Sequence, residues 1–176
     1  MTAPLLPTIA GPADLRRLSP EQLPRLAQEI REAIIDQVMA TGGHLAPNLG
    51  VVELTMALHR VFNFEHDRLL FDVGHQCYPH KMLTGRADRL STLRQTGGMA
   101  GFPEPSESPF DLFSVGHAGT GISTAVGMAR GDTLNGEGYH SEKNPDGRRT
   151  VALIGDASIV NGLAMEGLNN AGTLNR

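Results

Sequence analysis

The segment Val151-Ala-Leu-Ile-Gly-Asp-Ala-Ser158 restricts the possible folds of this chain more than any other. Its apolar run has the length of a buried strand, and Gly155-Asp156 forms a turn before a helical pattern from about Asn161 to Ala171. A strand, a turn and a helix in this order are typical of an α/β fold with a parallel sheet. Because ligands bind at the carboxyl ends of such strands, Asp156 has two interpretations. It binds a hard cation such as Mg²⁺, or it only caps the helix.

Length and composition narrow the class of protein. The 176 residues suffice for one domain with a hydrophobic core. A net charge of −4, without blocks of like charge, disfavours a nucleic-acid-binding surface, so a small-molecule partner is expected. The single cysteine, Cys77, leaves no internal disulfide and indicates a reducing compartment, the cytoplasm. We expect neither a signal peptide nor a membrane-spanning segment from the hydropathy pattern.

Two helices are predicted before any strand. Ser19-Pro-Glu-Gln22 is typical of a helix start, since Ser19 and Gln22 can form a capping box and proline suits the first turn. Apolar residues then recur at helical spacing until Gly42-Gly43 ends the helix. This predicted buried stripe consists of Leu23, Leu26, Ile30, Ile34 and Val38. The second helix follows a loop with His44, and its apolar residues include Val52, Leu54, Leu58 and Val61.

The rest of the chain is predicted to combine short strands and helices with long loops. We expect a strand at 68–73, a short helix at 76–83, a second strand-like run at 113–117 and a helix at 118–130. The Gly- and Pro-rich segment 86–109 is a loop, and a loop of this length inside a domain usually carries function. Residues 1–13 are predicted to form a flexible arm. Residues 14–176 form the domain, with a polar surface insertion at 131–149.

Three histidines share one local setting. His44, His75 and His117 each lie next to a glycine. The last two lie where an apolar strand gives way to a helix. Because the strand ends of a parallel sheet share one edge, His75, His117 and Asp156 can converge on one crevice. Taken singly, each histidine can equally be a hydrogen-bonded structural residue. The histidines without this setting are interpreted as surface or structural residues, and they are His59, His66 and His140.

Two kinds of chemistry fit these residues. A hydrolase can bind a transition metal through histidines and aspartates, although no pair here has the His-x-x-x-His spacing of one helix face. That ligand set would be His44, His75, His80, His117, Asp72 and Asp156. The other chemistry is that of an organic cofactor with a phosphate group and Mg²⁺. Asp156 then holds the cation, glycine-rich turns direct backbone N–H groups at the phosphate, and histidines transfer protons.

Several motifs resemble the N-terminal part of the 1-deoxy-D-xylulose 5-phosphate synthases, a family of thiamin diphosphate enzymes related to transketolase. The most specific is Asp72-Val-Gly-His-Gln-Cys-Tyr-Pro-His-Lys81, and the similarity runs from Asp14 to the end of the chain. Further matches are Thr41-Gly-Gly-His-Leu45, Asn48-Leu-Gly-Val-Val-Glu-Leu54, Leu93-Arg-Gln95, Gly101-Phe-Pro103, Ser106-Glu-Ser108, Gly116-His117 and Gly155-Asp156. The resemblance implies a parallel-sheet thiamin diphosphate-binding domain with helices on both faces.

The resemblance also implies an activity. The family condenses pyruvate with D-glyceraldehyde 3-phosphate, with loss of CO₂, to 1-deoxy-D-xylulose 5-phosphate for isoprenoid, thiamin and pyridoxal biosynthesis. Its cofactors are thiamin diphosphate and Mg²⁺, and its members are transferases that we expect to be cytoplasmic homodimers. By the family pattern His44 and His75 are catalytic, and Asp156 binds Mg²⁺. The implied cofactor-binding set is His75, Gly116, His117, Ala118, Ala157 and Ser158.

The chain departs from the family pattern at several positions. Ala157 replaces the second glycine of Gly-Asp-Gly, and Gly116-His-Ala-Gly-Thr-Gly121 lacks three hydroxyls of Gly-His-Ser-Ser-Thr-Ser. The family's second Mg²⁺ ligand, its activating glutamate and its phosphate-binding arginines come later in sequence. We therefore expect a sheet truncated before completion and a chain inactive by itself. Two alternatives stay open: another transketolase-like enzyme, or a non-catalytic relative that keeps the fold for assembly or regulation.

Overall fold

A computed structural model describes residues 3–174 of the chain. Within this range the α-helices are α1 (Pro12–Arg17), α2 (Leu23–Thr41), α3 (Ala46–Leu49), α4 (Val52–Val61), α5 (Tyr78–Lys81), α6 (Gly121–Leu134), α7 (Asp156–Ile159) and α8 (Gly162–Thr173). The strands are β1 (Arg68–Phe71) and β2 (Thr150–Leu153). Short 3₁₀ turns lie at Leu6–Thr8, Pro20–Gln22 and Ala87–Thr92, and a π-helical turn, Met82–Arg86, continues α5.

The two strands form a parallel sheet. Their register pairs Arg68 with Thr150 and Phe71 with Leu153, and the Asp72 N–H extends the ladder by donating to the Leu153 carbonyl. Both strands therefore end at the same edge, and α6 packs against both of them. The predicted α/β fold class with a parallel sheet is confirmed. The helix that follows β2 is also confirmed, as the two segments α7 and α8.

The main core lies between the first helices and one face of β1. Leu69 and Phe71 belong to this core together with the predicted stripe of α2, of which Leu26, Ile30 and Ile34 are buried. Helix α2 ends at Thr41 as predicted, where the positive φ of Gly42 (77°) breaks the helix. Since side chains alternate along a strand, Leu70 points to the opposite face and borders a cavity lined also by α6.

Helix α4 is the predicted second helix, and its buried face is only partly apolar. Leu54 and Val61 are 50% and 76% exposed, whereas the buried residues are Val52, Thr55, Met56 and His59. The buried face is the one that contacts α1, α2 and α5. His59 makes a polar pair on this face, and Val52 alone of the four apolar residues named from the sequence is buried.

The second predicted strand, at 113–117, is wrong. Phe113–His117 has no strand hydrogen bonds, although it borders a cavity of about 320 Å³ together with Leu70 and Phe71. The segment leads directly into a turn whose amides bind the Asp72 carboxylate. It therefore lies beside β1 without pairing with it.

Side-chain carboxylates hold both the N-terminal segment and the start of β1. At the N-terminus the Leu5 and Leu6 amides both donate to Glu29, and Ile9 is buried, so this part of the predicted arm packs on the core. Near the predicted insertion, Arg68 binds Asp132 through two contacts of 2.8 Å. No helix in residues 3–174 is long and apolar enough to cross a membrane.

Candidate active site

Asp72 organises the edge where both strands end. It directly follows β1, is buried, and accepts hydrogen bonds from the backbone N–H groups of Gly119 (3.0 Å) and Gly121 (2.8 Å). Charge-assisted bonds of this kind are stronger than neutral ones. Asp72 therefore fixes the turn before α6 and brings Gly116, His117 and Ala118, all exposed, to the end of the sheet.

The two residues after Asp72 have strained or glycine-dependent backbones. Val73 has a φ of 61°, a left-handed conformation that costs a β-branched residue about 1–3 kcal/mol. Gly74 has a φ of 85°, and a Cβ atom there would lie 2.5 Å from Pro103 and 2.6 Å from Val115. This compact turn redirects the chain after β1 and positions the next residue, His75.

His44 and His75 lie side by side. Their ring centroids are 5.3 Å apart at an interplanar angle of 68°. The fully buried side chain of Asn48 holds them together, since its amide donates to the carbonyl of His44 at 2.6 Å and to that of His75 at 2.8 Å. Its carbonyl oxygen accepts the N–H of Tyr78 at 2.8 Å. One amide thus connects the loop after α2, the turn after β1 and the start of α5.

The surroundings of His44 favour a neutral ring. The pKa of His44 is lowered by burial and, secondarily, by electrostatic interactions with His75 and Arg94. The Tyr78 hydroxyl lies 3.4 Å from His44 Nδ1, and Phe102 contacts the His44 ring edge to face at 5.8 Å. A neutral imidazole can accept a proton. On His75, the buried Nδ1 atom has no hydrogen-bond partner among residues 3–174.

Arg94 and Asn48 are site residues that the sequence interpretation left without a role. Arg94 is exposed, has a left-handed φ of 60°, and its side chain packs over Gly101 and toward Gly42. This places a cation beside His44, where an anionic group can bind. One local signal exists for each residue, since Arg94 lies in the long loop 86–109 and Asn48 lies in a specific motif.

The second strand end presents an unpaired carboxylate. Asp156 is the first residue of α7, is exposed, and makes no hydrogen bond with the described part of the chain. The capping interpretation of Asp156 is therefore wrong, because Gly155 occupies the cap position and no side chain caps this helix. Ala157 lies within α7 and is exposed, so its methyl group meets no backbone obstacle, while Ser158 is buried.

The turns from the two strand ends touch each other. A Cβ atom on Gly119 would lie 2.6 Å from Cγ of Asn161, the residue that caps α8 through the Leu163 amide. Asn161 Nδ2 also lies 3.5 Å from the Ala118 carbonyl oxygen. The glycine at 119 therefore leaves room for Asn161. The structure thus joins the turn before α6 to the start of α8, while the convergence of His75, His117 and Asp156 stays a prediction.

The histidine-rich metal site of a hydrolase is not supported. Among residues 3–174 no group of three His, Cys, Asp or Glu side chains is arranged to hold a metal ion. His80 is instead buried between Asp111 and His59, with Nε2 3.0 Å from the carboxylate and Nδ1 3.0 Å from His59 Nε2. If His80 donates to Asp111, His59 must donate to His80. Burial lowers the pKa of His59 to about 2.

Comparisons with known proteins agree on one family. A family model described as 1-deoxy-D-xylulose-5-phosphate synthase matches residues 6–176. The synthase of Dechloromonas aromatica is 56% identical over 96% of this chain and 26% of its own length. That of Leptothrix cholodnii is 54% identical over 96% of this chain and 25% of its own length. The chain thus spans about a quarter of the length of the curated relatives it matches.

A solved structure shares the fold. The transketolase from Leishmania mexicana superposes with a TM-score of 0.72 over 89% of this chain and 26% of that protein, at 27% sequence identity. The resemblance to a transketolase-like family is therefore confirmed. The roles of the individual site residues stay predictions.

Proposed function

Since this chain belongs to the 1-deoxy-D-xylulose-5-phosphate synthase family, we propose that it supplies one side of the site at which pyruvate condenses with D-glyceraldehyde 3-phosphate. The products are CO₂ and 1-deoxy-D-xylulose 5-phosphate. The latter is a precursor of isoprenoids, thiamin and pyridoxal. The observation that carries the proposal is the His44–His75 pair, held by Asn48 beside the cation of Arg94. Such a site combines a proton acceptor with an anion-binding group, and this reaction requires both.

Thiamin diphosphate and Mg²⁺ fit the residues at the sheet edge. The exposed Asp156 carboxylate has no protein partner within 3–174 and offers the hard oxygen ligand that Mg²⁺ prefers. Ser158 and Ala157 follow it in α7, and the Gly116–Ala118 turn is exposed on the facing side. The unpartnered Nδ1 of His75 is a further group that a ligand can satisfy. When bound, thiamin diphosphate supplies the electron sink for decarboxylation and carbon–carbon bond formation.

The two histidines have different proposed tasks. His44, neutral and half-buried, accepts or returns a proton at a substrate oxygen. His75, whose ring lies beside that of His44, contributes to binding of the cofactor or of the substrate carboxylate or carbonyl. Arg94 holds the anionic end of a substrate, because a guanidinium binds phosphate or carboxylate through two parallel hydrogen bonds. Asn48 keeps the backbones of the two histidines at fixed spacing, which is the requirement of proton transfer.

The remaining parts of the proposal concern assembly and location. We include the family's homodimer, because Val160, Leu163 and Met165, in and just before α8, are exposed apolar side chains of the kind that interfaces cover. We also include a cytoplasmic location, which the single free cysteine supports. Neither is required by the chemistry at the histidine pair.

The test is a chimera in which residues 6–176 of this chain replace the matching region of the Dechloromonas aromatica synthase. We expect the chimera to bind thiamin diphosphate with Mg²⁺ and to form 1-deoxy-D-xylulose 5-phosphate. His44→Gln and His75→Gln should each lower the turnover by about a hundredfold or more, the usual share of a general acid–base group. His140→Gln is the matched control, because His140 is exposed and lies in the polar segment between α6 and β2. A folded chimera that binds no cofactor would support a non-catalytic relative instead.

A further inference from the structure

A buried group of charged side chains lies next to the histidine pair but has no task in the proposed chemistry. Lys81 and Arg86 come from α5 and the turn that continues it, and Glu107 and Asp111 come from the loop before α6. The side chains of Lys81 and Asp111 are fully buried, and those of Arg86 and Glu107 are 5% and 8% exposed. We call these four residues the charge cluster.

The charge cluster is balanced and closely paired. Lys81 Nζ lies 2.6 Å from Glu107, and Arg86 contacts both Asp111 oxygens at 2.7 and 2.8 Å. Two basic side chains thus meet two acidic ones, and the Asp111 carboxylate keeps its charge. Burial raises the pKa of Asp111, but hydrogen bonds from Arg86 and His80 outweigh burial and hold that pKa well below its ordinary value. Buried pairs are costly to form, so a purely stabilising role explains them poorly.

Each carboxylate also binds the backbone of one short segment. Glu107 Oε1 accepts the N–H of Ala100 at 2.6 Å, and Asp111 Oδ2 accepts the N–H of Glu104 at 2.8 Å. These two bonds lie at the two ends of the segment Gly101-Phe-Pro103. The Cys77 thiol adds a weak contact of 3.9 Å to the Gly101 carbonyl. The segment is therefore fixed from both ends although it lies in a loop.

The fixed segment forms one wall of the candidate active site. Phe102 meets the ring of His44, and Pro103 fills the space beside Gly74, immediately before His75. The pKa of His44 depends on burial first, with further contributions from His75 and Arg94, and Tyr78 completes its surroundings. A displacement of this wall would thus expose His44 and change its protonation.

We infer that Glu107 and Asp111 are positioning residues for His44: the cations of Lys81 and Arg86 orient both carboxylates, which fix Phe102 and Pro103 against the histidine pair. This inference deepens the proposed function and rests on it for its catalytic consequence. The geometric consequence is independent of any cofactor. The charge cluster sets how far the His44 ring is buried, and so at which pH it can accept a proton.

Two double variants with the same net charge test the inference in the 176-residue chain. Lys81→Met with Glu107→Gln removes the ion pair but keeps an oxygen that accepts the Ala100 N–H. Lys81→Met with Glu107→Met removes the ion pair and this acceptor, with little change in side-chain length. We call the first double variant the Met/Gln variant and the second the Met/Met variant. Arg86 and Asp111 stay paired in both, so neither variant leaves a lone buried charge.

The readout is NMR titration of His44 together with the proximity of its ring protons to those of Phe102. In the Met/Met variant we expect the pKa of His44 to rise toward its ordinary value and the Phe102 contact to weaken. The Met/Gln variant should keep both near those of the parent chain. A role in stability alone would lower the unfolding midpoint of both variants and leave the His44 pKa unchanged. Equal His44 pKa values in the two folded variants would overturn the inference.

Hydrogen exchange on the unmodified chain gives a second test that no folding failure can obscure. The amides of Ala100 and Glu104 should exchange as slowly as those of buried helices, although both lie in a loop. Exchange at the rate of exposed loop amides would contradict the two carboxylate bonds. In the chimera, the Met/Met variant should shift the acid limb of the pH profile of kcat/KM to higher pH. If the chimera shows no synthase activity while the NMR difference persists, the proposed function fails and the positioning role stands.

Discussion

Replacing Asn48 by leucine should destabilise the chain strongly, because one fully buried side chain satisfies three backbone groups. The change removes the donors to the His44 and His75 carbonyls and the acceptor of the Tyr78 N–H. Each buried group left without a partner costs about 1–3 kcal/mol. Partial relaxation and the apolar contacts of leucine offset part of this sum. We expect the free energy of unfolding to fall by about 3–5 kcal/mol, a large share of the ~5–15 kcal/mol typical of domains.

Urea unfolding followed by circular dichroism measures this loss for Asn48→Leu. Asn169→Leu, on an exposed position of α8, is the matched control and should change stability by about 0.5 kcal/mol or less. The His44 and His75 ring signals should also move in the Asn48 variant, because the two backbones lose their common anchor. A loss below about 1 kcal/mol, with unchanged ring signals, would refute the assignment of Asn48 as the connecting residue.

Three further perturbations address other parts of the site. Asp72→Asn removes the charge that binds the Gly119 and Gly121 amides and should cost about 2 kcal/mol in the same urea titration. His59→Gln tests pH dependence. The pKa of His59 falls from 6.5 to about 2 on folding, so between these values the unfolded state binds more protons and stability drops as the pH falls. At pH values well below 6.5, His59 should lower the free energy of unfolding of the parent chain by about 1.4 kcal/mol per pH unit. The His59→Gln variant should lack this contribution. Asp156→Asn in the chimera should weaken Mg²⁺ binding about tenfold or more in calorimetric titrations.

Matched exposed residues serve as controls for these three perturbations. Asp146→Asn should leave the urea midpoint unchanged, His140→Gln should leave the pH slope unchanged, and Glu166→Gln should leave Mg²⁺ affinity unchanged. An Asp72 variant as stable as the parent would contradict the carboxylate's role in holding the turn. A His59 variant with the parental slope would contradict burial of a neutral ring. Unaltered Mg²⁺ affinity in the Asp156 variant would remove the proposed ligand.

The sequence predicted those parts of the fold that depend on local pattern. The range of α2, its buried stripe and its end at Gly42 follow from periodicity and backbone freedom, and the β2 strand with its following helix was read from one apolar run. The resemblance to a known family rested on the motif from Asp72 to Lys81. Each of these signals lies within a few neighbouring residues.

Features that depend on distant partners could not be predicted. Leu54 is exposed and His59 buried because α5 brings His80 to that face of α4. The run 113–117 has the composition of a strand, yet the Asp72 carboxylate draws the following amides into a turn. Likewise, nothing local distinguishes Asp72, which binds backbone, from Asp156, which has no protein partner within the described range.

Some residues of the candidate site could be predicted from the local sequence, and others could not. His44, His75 and Asp156 were predicted from their positions beside glycines and at strand ends. Asn48 and Arg94 were given no role, because their importance comes from contacts across the loop after α2, the turn after β1 and the long loop before α6. An amide side chain in a helix and an arginine in a loop are ordinary in sequence. Only the three-dimensional arrangement shows that both adjoin the histidine pair.

The identity of the product formed by the chimera tests the proposed function most directly. Pyruvate and D-glyceraldehyde 3-phosphate are supplied with thiamin diphosphate and Mg²⁺, and the products are identified by mass spectrometry beside the unmodified Dechloromonas aromatica enzyme. We predict 1-deoxy-D-xylulose 5-phosphate from the chimera and almost none from its His75→Gln variant. A folded, cofactor-bound chimera that releases a different product, or none, would contradict the proposal that this chain builds one side of a 1-deoxy-D-xylulose-5-phosphate synthase site.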